Sequence, residues 1–176
     1  MRKLKLEELN RLSIDEFKSA RKLHVTIVLD DIRSGVNTGS VFRSADAFLF
    51  EKIILCGITP QPPHKEILRT AIGATSSMEW EYQNDVINTV ASLKKQGKKI
   101  IIIEQADTSI PLNAYNPDRR DEYAIVLGNE VNGVNEKLLP YADQIIEISQ
   151  YGTKHSLNVS VCAGIVFWHF NNQMRV

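Results

Sequence analysis

The chain has 176 residues, with 21 basic and 21 acidic side chains, so its formal net charge at neutral pH is zero. That length suits one domain, residues 1–176, which can bury most of its apolar surface. The neutral total excludes a strong overall field that would attract nucleic acid, although it leaves room for a local basic patch.

The cysteines and the apolar segments bear on where the protein works. Cys56 and Cys162 lie in apolar runs without a CxxC pair, which indicates reduced structural thiols. The chain begins without a signal-peptide pattern, and its most apolar segment, 159–170, is too short to span a bilayer. We therefore expect a cytoplasmic protein that does not enter a membrane.

Residues 1–24 are expected to form a short helical extension before the first strand. Apolar residues recur at roughly helical spacing over 4–20, and Ser13 followed by Glu16 matches a capping box, so two short helices are possible. Two interpretations remain open for its basic residues, a solvated helix face or an arm that contacts RNA or a second subunit. These residues are Arg2, Lys3, Lys5, Arg11, Lys18, Arg21 and Lys22.

Unbroken apolar runs alternate with helical patterns along the rest of the chain. Such runs are typical of strands buried on both faces, so the pattern predicts an α/β domain with a mostly parallel sheet flanked by helices. Strands are predicted at 25–30, 52–57, 78–82, 99–103, 123–127 and 144–148, and helices at 38–48, 65–71, 85–96 and 156–170. Residues 104–115 are predicted to form a loop.

Common cofactor and hydrolase signatures are absent from the sequence. There is no GxGxxG after the first strand, no GxxxxGK[ST] phosphate loop and no GxSxG turn. The four histidines are scattered without metal-ligand spacing, so no metal site is predicted.

Three polar clusters each follow a predicted strand. The first is Asn37-Thr-Gly-Ser-Val-Phe-Arg43, in which Asn37 could simply cap a helix and Arg43 could simply pair with Asp46. The second is Leu127-Gly-Asn-Glu-Val-Asn-Gly133, where Gly128 opens the backbone to a flat ligand and Glu130 supplies an acceptor. The third, Ser156-Leu-Asn-Val-Ser160, is expected to start the last helix with Ser156 as its N-cap.

Together, in this order, the three clusters resemble the motifs of the SpoU (TrmH-like) RNA 2′-O-ribose methyltransferases of the SPOUT class. The resemblance covers nearly the whole chain, from residue 25 to residue 170. It implies a deep trefoil knot and a donor site for S-adenosylmethionine within approximately 123–170, in spite of the general rule against threaded chains. It also implies a homodimer whose active site lies at the subunit interface, formed through the C-terminal helix and the first-motif region.

The resemblance carries roles to individual residues. Donor-binding positions match Gly128, Ile148 and Leu157, with Glu104 as a less certain correspondence. The catalytic positions match Arg43, Asn37, Glu130, Ser156 and Asn158. In the family the arginine is proposed as a base, which conflicts with an ordinary guanidinium pKa above about 12. We favour an Arg43 that holds the adjacent phosphate and stabilises developing alkoxide charge.

The resemblance thus implies methyl transfer to a ribose 2′-hydroxyl of tRNA or rRNA, without a metal. Phosphate contacts are suggested for Arg33, Lys65, Arg69 and Lys154, although a solvated surface explains each equally well. The apolar last helix suggests a dimer contact as well as core packing, through Val159, Val161, Val166, Phe167, Trp168 and Phe170. The alternatives are a catalytically silent RNA-binding homologue and a flavodoxin-like nucleotide-binding module, and the missing phosphate loop argues against the second.

Overall fold

The computed structural model describes residues 1–175, apart from the side chain of Leu6. Its centre is a seven-stranded sheet with the order β3-β2-β1-β6-β4-β7-β5, in which every neighbouring pair is parallel. The predicted α/β class and parallel sheet are therefore confirmed. The strands are Leu23–Asp30 (β1), Phe50–Cys56 (β2), Glu79–Gln83 (β3), Lys99–Ile103 (β4), Ile110–Pro111 (β5), Tyr123–Leu127 (β6) and Gln144–Glu147 (β7).

Helices connect most of the strands and cover both faces of the sheet. The α-helices are Ile14–Ser19 (α1), Gly35–Ala47 (α2), Lys65–Ala71 (α3), Ala74–Ser77 (α4), Val86–Lys95 (α5) and Val159–Met174 (α6), and short 3-10 segments occupy Leu6–Leu9, Leu112–Ala114 and Glu136–Tyr141. None of the described helices combines the length and apolar character needed to cross a bilayer. The capping box of Ser13 and Glu16 forms as predicted, at the start of α1.

Alternate residues of each central strand face opposite cores. Ile27 and Leu29 of β1 pack with α2, α3 and α6, whereas Val28 packs on the other face with α5 and the 3-10 segment Glu136–Tyr141. Burial on both faces explains why the central strands read as continuous apolar runs. Helices α2 and α6 share one core, which brings the first and third motifs to the same side of the sheet.

Several predicted boundaries were wrong. Helix α2 begins at Gly35 rather than Thr38, because the Ser34 hydroxyl accepts a hydrogen bond from the Asn37 backbone N–H at 3.2 Å. Helix α6 begins at Val159 rather than Ser156. Helix α4 and strand β5 were not predicted, since four and two residues are too few to show a periodic pattern.

Candidate active site

The loops that carry the motifs meet at one edge of the sheet. Strands β1, β6, β4 and β7 are consecutive neighbours, and because they are parallel their carboxyl ends lie together. The segments that follow them are 31–34, 128–135, 104–109 and 148–158. Ligands in open α/β sheets bind at this edge.

A cavity of about 560 Å³ lies among these loops. Its size falls within the range of about 300–1,000 Å³ that is usual for small-molecule sites. All four predicted donor-binding residues line it: Glu104, Gly128, Ile148 and Leu157. Three predicted catalytic residues, Glu130, Ser156 and Asn158, line it as well, whereas Asn37 and Arg43 do not.

A chain of side-chain hydrogen bonds joins the three motifs. The Asn37 amide Nδ2 donates to Glu130 Oε1 at 2.9 Å, and Asn158 Nδ2 donates to Asn37 Oδ1 at 3.1 Å. Glu130 also accepts from two backbone N–H groups ahead of α2, at 2.8 Å from Arg33 and 3.1 Å from Ser34. Residues far apart in sequence therefore form one polar cluster.

The hydrogen bonds keep the Glu130 carboxylate ionised. Burial alone would raise its pKa, but the bonds from Arg33, Asn37 and Ser34 outweigh burial and lower the pKa below its ordinary value. A carboxylate that accepts three hydrogen bonds is a poor proton acceptor. In this arrangement both oxygens of the Glu130 carboxylate are committed to the segment ahead of α2 and to Asn37.

Asn37 is not the helix cap that the sequence suggested as one alternative. Ser34 caps α2, and the Asn37 side chain is buried and committed to Glu130 and Asn158. At the third motif the cap is Asn158, whose Oδ1 accepts from the backbone N–H groups of Ser160 at 2.9 Å and Val161 at 3.4 Å. Asn158 thus both starts α6 and joins it to α2.

Ser156 was wrongly predicted as the cap of α6. It lies two residues before the true cap, in the exposed segment that lines the cavity. Among the described residues its hydroxyl has no hydrogen-bonding partner, in contrast to the hydroxyl of Ser160, which donates to Asn158 Oδ1 at 2.6 Å. The Ser156 hydroxyl therefore remains available to a ligand at the cavity.

Arg43 lies on the exposed side of α2 and does not join the hydrogen-bonded cluster. The suggested pairing with Asp46 does not occur, because Asp46 instead accepts a hydrogen bond from the Ser77 hydroxyl. Over residues 1–175 we find no hydrogen bond or ion pair made by the Arg43 guanidinium. An unpaired cation on the helix that the cluster holds is available to an anionic ligand.

The wall of the cavity at the second motif is a tight turn. Asn129 and Gly133 pair through two backbone hydrogen bonds of 2.9 and 3.0 Å. A Cβ on Gly128 would lie 2.2 Å from the backbone nitrogen of Val134, so the close approach requires glycine. From the other side, Glu104 Oε2 accepts from the Val134 N–H at 2.9 Å.

The cavity lining fits a cationic donor with an apolar part. S-adenosylmethionine carries a net positive charge, and the carboxylates of Glu104, Glu130 and Glu147 are among the lining groups, which would favour that charge. Ile103, Leu127, Ile148, Leu157 and Val159 provide apolar surface for a base. Within residues 1–175, no three His, Cys, Asp or Glu side chains are grouped so that they could hold a metal ion.

The predicted surface contacts divide into two sets. Arg33 and Lys154 lie in loops at the carboxyl edge of the sheet, and Lys65 and Arg69 lie on α3, which packs on α2; all four are exposed. On α6, Val159, Val166, Phe167 and Phe170 are buried in the core of their own chain, so they cannot contact another subunit. The exposed fractions of Val161 and Trp168 are 52% and 57%. Ile165, which lies between them in sequence, has an exposed fraction of 38%.

Sequence reasoning missed three contributors to the site. Ser34 was readable as a helix cap, since it precedes the helix by one residue. Asn129 lies inside the second motif but was given no role. Gln105, whose side-chain amide donates to the His155 carbonyl at 2.9 Å, joins two loops that no local pattern connects.

The chain is similar to known proteins over most of its length. The tRNA (guanosine(18)-2′-O)-methyltransferase of Escherichia coli K12 is 25% identical over 162 residues, which cover 92% of this chain and 69% of that protein. A TrmH/SpoU tRNA modifying enzyme from A. aeolicus superposes with a TM-score of 0.81 at 22% identity, covering 92% of this chain and 81% of the other.

An AdoMet-bound rRNA methyltransferase from Sinorhizobium meliloti has the same fold, with a TM-score of 0.79 at 24% identity. That match covers 86% of this chain and 57% of the other. The family model described as SpoU rRNA Methylase family matches residues 24–168, most of the chain and all three motifs. The chain therefore belongs to the SpoU rRNA methylase family.

Proposed function

We propose that this protein transfers a methyl group from S-adenosylmethionine to a ribose 2′-hydroxyl of tRNA or rRNA. The observation that carries the proposal is the convergence of three motifs beside one cavity. The hydrogen-bonded chain Glu130–Asn37–Asn158 links them, and all four donor-binding candidates line that cavity. The E. coli relative, named as a tRNA 2′-O-methyltransferase, supports the same reaction class.

The acceptor hydroxyl is a poor nucleophile, so the protein must position it and stabilise the charge that develops as its proton leaves. When bound, the donor supplies a methyl group activated by its sulfonium. Arg43 is the group we assign to the acceptor side, where its guanidinium would hold the neighbouring phosphate and stabilise alkoxide charge. This role requires a protonated, accessible side chain, and Arg43 is exposed.

The other catalytic candidates act at different distances from the reaction. Asn37 is buried, and with Glu130 it fixes the start of α2, the helix that carries Arg43. We therefore assign these two residues to positioning rather than to contact with the ribose. Ser156 is exposed at the cavity and is the better candidate for a hydrogen bond to the acceptor.

The RNA would be held by cations around the motifs. Arg33, Lys65, Arg69 and Lys154 are exposed, and each can reach a phosphate without breaking a described ion pair. Because the net charge is zero, we expect modest RNA affinity that falls steeply with salt.

We propose a homodimer that covers the exposed side of α6. Val161, Ile165 and Trp168 recur at intervals of four and three residues, which places them on one side of the helix. Replacing Trp168 with glutamate should yield monomers in light scattering. A matched change on another exposed apolar residue, Ile58→Glu, should leave the dimer intact. A dimeric Trp168→Glu protein would refute this interface.

Three further expectations belong to the proposal. The chain is expected to act as one domain, with residues 1–24 as an extension and a trefoil knot within approximately 123–170. Neither cysteine forms a disulfide in the described chain, which supports a reducing, cytoplasmic setting. An experimental density map that traces residues 123–170 without threading would refute the knot.

The deciding experiment is nucleoside mass spectrometry on RNA from cells with and without the gene. Loss of one 2′-O-methylnucleoside would give both the activity and the target, whereas loss of a base-methylated nucleoside would refute ribose chemistry. Calorimetry with S-adenosylmethionine provides a second test, since absence of binding at millimolar donor would exclude the enzyme. Donor binding without methyl transfer to any RNA would favour the silent homologue.

Variants of Arg43 test its assigned role. Arg43→Ala should abolish methyl transfer, while Arg120→Ala, a control at a distant ion-paired arginine, should not. Arg43→Lys separates the two mechanisms. Lysine has a lower pKa than arginine, about 10.4 against above about 12, so a base role predicts that the variant reaches its full rate at a lower pH than wild type. The electrostatic role predicts that the rate of the variant depends on pH as the wild-type rate does around neutral pH.

A further inference from the structure

The turn Gly128–Gly133 forms one wall of the cavity and also carries Glu130. Its shape and its placement are held by different contacts. The two backbone bonds between Asn129 and Gly133 close the turn, and the positive φ of 69° at Gly133 completes it. Side-chain contacts place the turn against the rest of the site.

Asn129 contributes to both shape and placement through the two ends of its amide. Its Oδ1 accepts from the backbone N–H groups of Val131 at 2.9 Å and Asn132 at 3.1 Å, within the turn. Its Nδ2 donates to the Asp31 carbonyl at 2.6 Å, in the loop that leads from β1 to α2. One side chain therefore joins the second motif to the segment ahead of the first.

The residue that receives this bond is itself firmly held. Asp31 has a positive φ of 53°, and its Oδ1 accepts from the Ile58 N–H at 2.9 Å. On the other side of the turn, the Asn135 N–H donates at 2.8 Å to the carboxylate of buried Asp30, the last residue of β1. The turn is thus fixed on either side of Glu130 to the end of β1.

We infer that Asn129 is a positioning residue for methyl transfer, acting by holding the Gly128–Gly133 turn on the loop between β1 and α2. The inference rests on the proposed function. Without the Asn129–Asp31 bond, Glu130 would no longer be aimed at the N–H groups of Arg33 and Ser34. Helix α2, which carries Arg43, would then shift relative to the donor cavity.

Asn129→Asp isolates this contact. An aspartate keeps an oxygen for the Val131 and Asn132 N–H groups, so the turn and the cavity wall persist. It replaces the Nδ2 donor with a second oxygen that faces the Asp31 carbonyl, which removes the bond and adds repulsion. Asn113→Asp is the matched control, because Asn113 is exposed, lies away from the cavity and makes no described side-chain hydrogen bond.

The test measures, on the full chain, the steady-state kcat of methyl transfer to total RNA from cells that lack the gene, and the donor affinity by calorimetry. A misplacement of about 1 Å costs about 100-fold in rate, so we expect N129D to lower kcat by roughly 10- to 100-fold. Its donor Kd should stay within about threefold of the N113D value, since the wall is intact. Asn129→Ala, which removes the acceptor as well, should weaken donor binding in addition.

Two results would overturn the inference. One is an N129D kcat equal to that of N113D. The other is a parallel loss of kcat, donor affinity and folded fraction, which would indicate a general structural role. Inactivity of both wild type and N113D would instead refute the proposed function, so the two failures are distinguishable.

Discussion

Replacing Glu130 with glutamine tests whether the hydrogen-bonded cluster stabilises this site. The carboxylate uses both oxygens, Oε2 for Arg33 and Oε1 for Ser34 and Asn37. An amide keeps one oxygen. If that oxygen stays toward Ser34 and Asn37, the amide NH₂ faces the Arg33 N–H across the position of a 2.8 Å bond, and two donors oppose each other.

The expected loss follows from these contacts. A hydrogen bond to a charged group contributes about 1.5–3 kcal/mol, and charge-assisted bonds are roughly twice as strong as neutral ones. One bond is lost and two become neutral, while partial exposure of Glu130 reduces the sum through solvent screening. We therefore expect the free energy of unfolding to fall by about 2 kcal/mol. For a domain of this size that corresponds to a Tm lowered by roughly 4–8 °C.

Urea unfolding followed by circular dichroism measures this change, and single-turnover methyl transfer measures its effect on rate. The control is Glu136→Gln, the same chemical change at an exposed carboxylate in the adjoining 3-10 segment, which should change stability by less than about 0.5 kcal/mol. If E130Q unfolds at the wild-type urea concentration, the cluster does not hold α2. Any loss of activity would then come from direct contact with substrate.

Three other variants or conditions give independent checks. Gly128→Ala should weaken donor binding by about 10- to 100-fold in calorimetry, because its Cβ would lie 2.2 Å from the Val134 nitrogen. Gly152→Ala is the control and should not change the affinity, since the space around Gly152 is open. Equal donor affinities of the two variants would refute the close-approach argument. Lys98→Met should lower the free energy of unfolding, measured in urea, by about 1–2 kcal/mol. Lys98 is 7% exposed and contacts the carboxylates of Glu51 at 2.9 Å and Glu122 at 3.1 Å, which would be left facing each other. A more stable variant would contradict this expectation. Because the folded-state pKa of Glu130 is lowered, its stabilisation is present above the unfolded pKa of about 4.3 and is lost as pH falls through the folded value. The stability difference between wild type and E130Q should therefore be constant from about pH 6 to 8 and should shrink as the pH falls below about 4. A difference that grows in acid would refute the lowered pKa of Glu130.

The motif residues differ in burial and hydrogen bonding, and this difference explains the roles proposed for them. Buried polar groups are stable only when their hydrogen bonds are satisfied, and Asn37 meets that requirement through both ends of its amide. Such groups specify geometry well but have little capacity left for a ligand. Exposed groups without partners, here Arg43 and Ser156, are the ones that remain free to contact RNA and ribose.

The sequence by itself determined the sheet and the places where ligands would bind. A strand buried on both faces needs apolar residues at every position, so 99–103 and 123–127 were predicted with their observed bounds. The parallel arrangement then required the polar clusters after the strands to lie at one edge. Local capping patterns also identified the start of α1, because a capping box involves residues only three apart.

Only the tertiary structure decided what the motif side chains do. Asn37 and Asn158 both looked like residues at helix starts, and their mutual bond joins positions 121 residues apart. Which of Ser156 and Asn158 caps α6 depends on how the loop from β7 meets α2. Likewise, the apolar α6 sequence did not reveal which residues its own chain would bury. These outcomes depend on packing between distant segments, for which a local pattern of residues carries no signal.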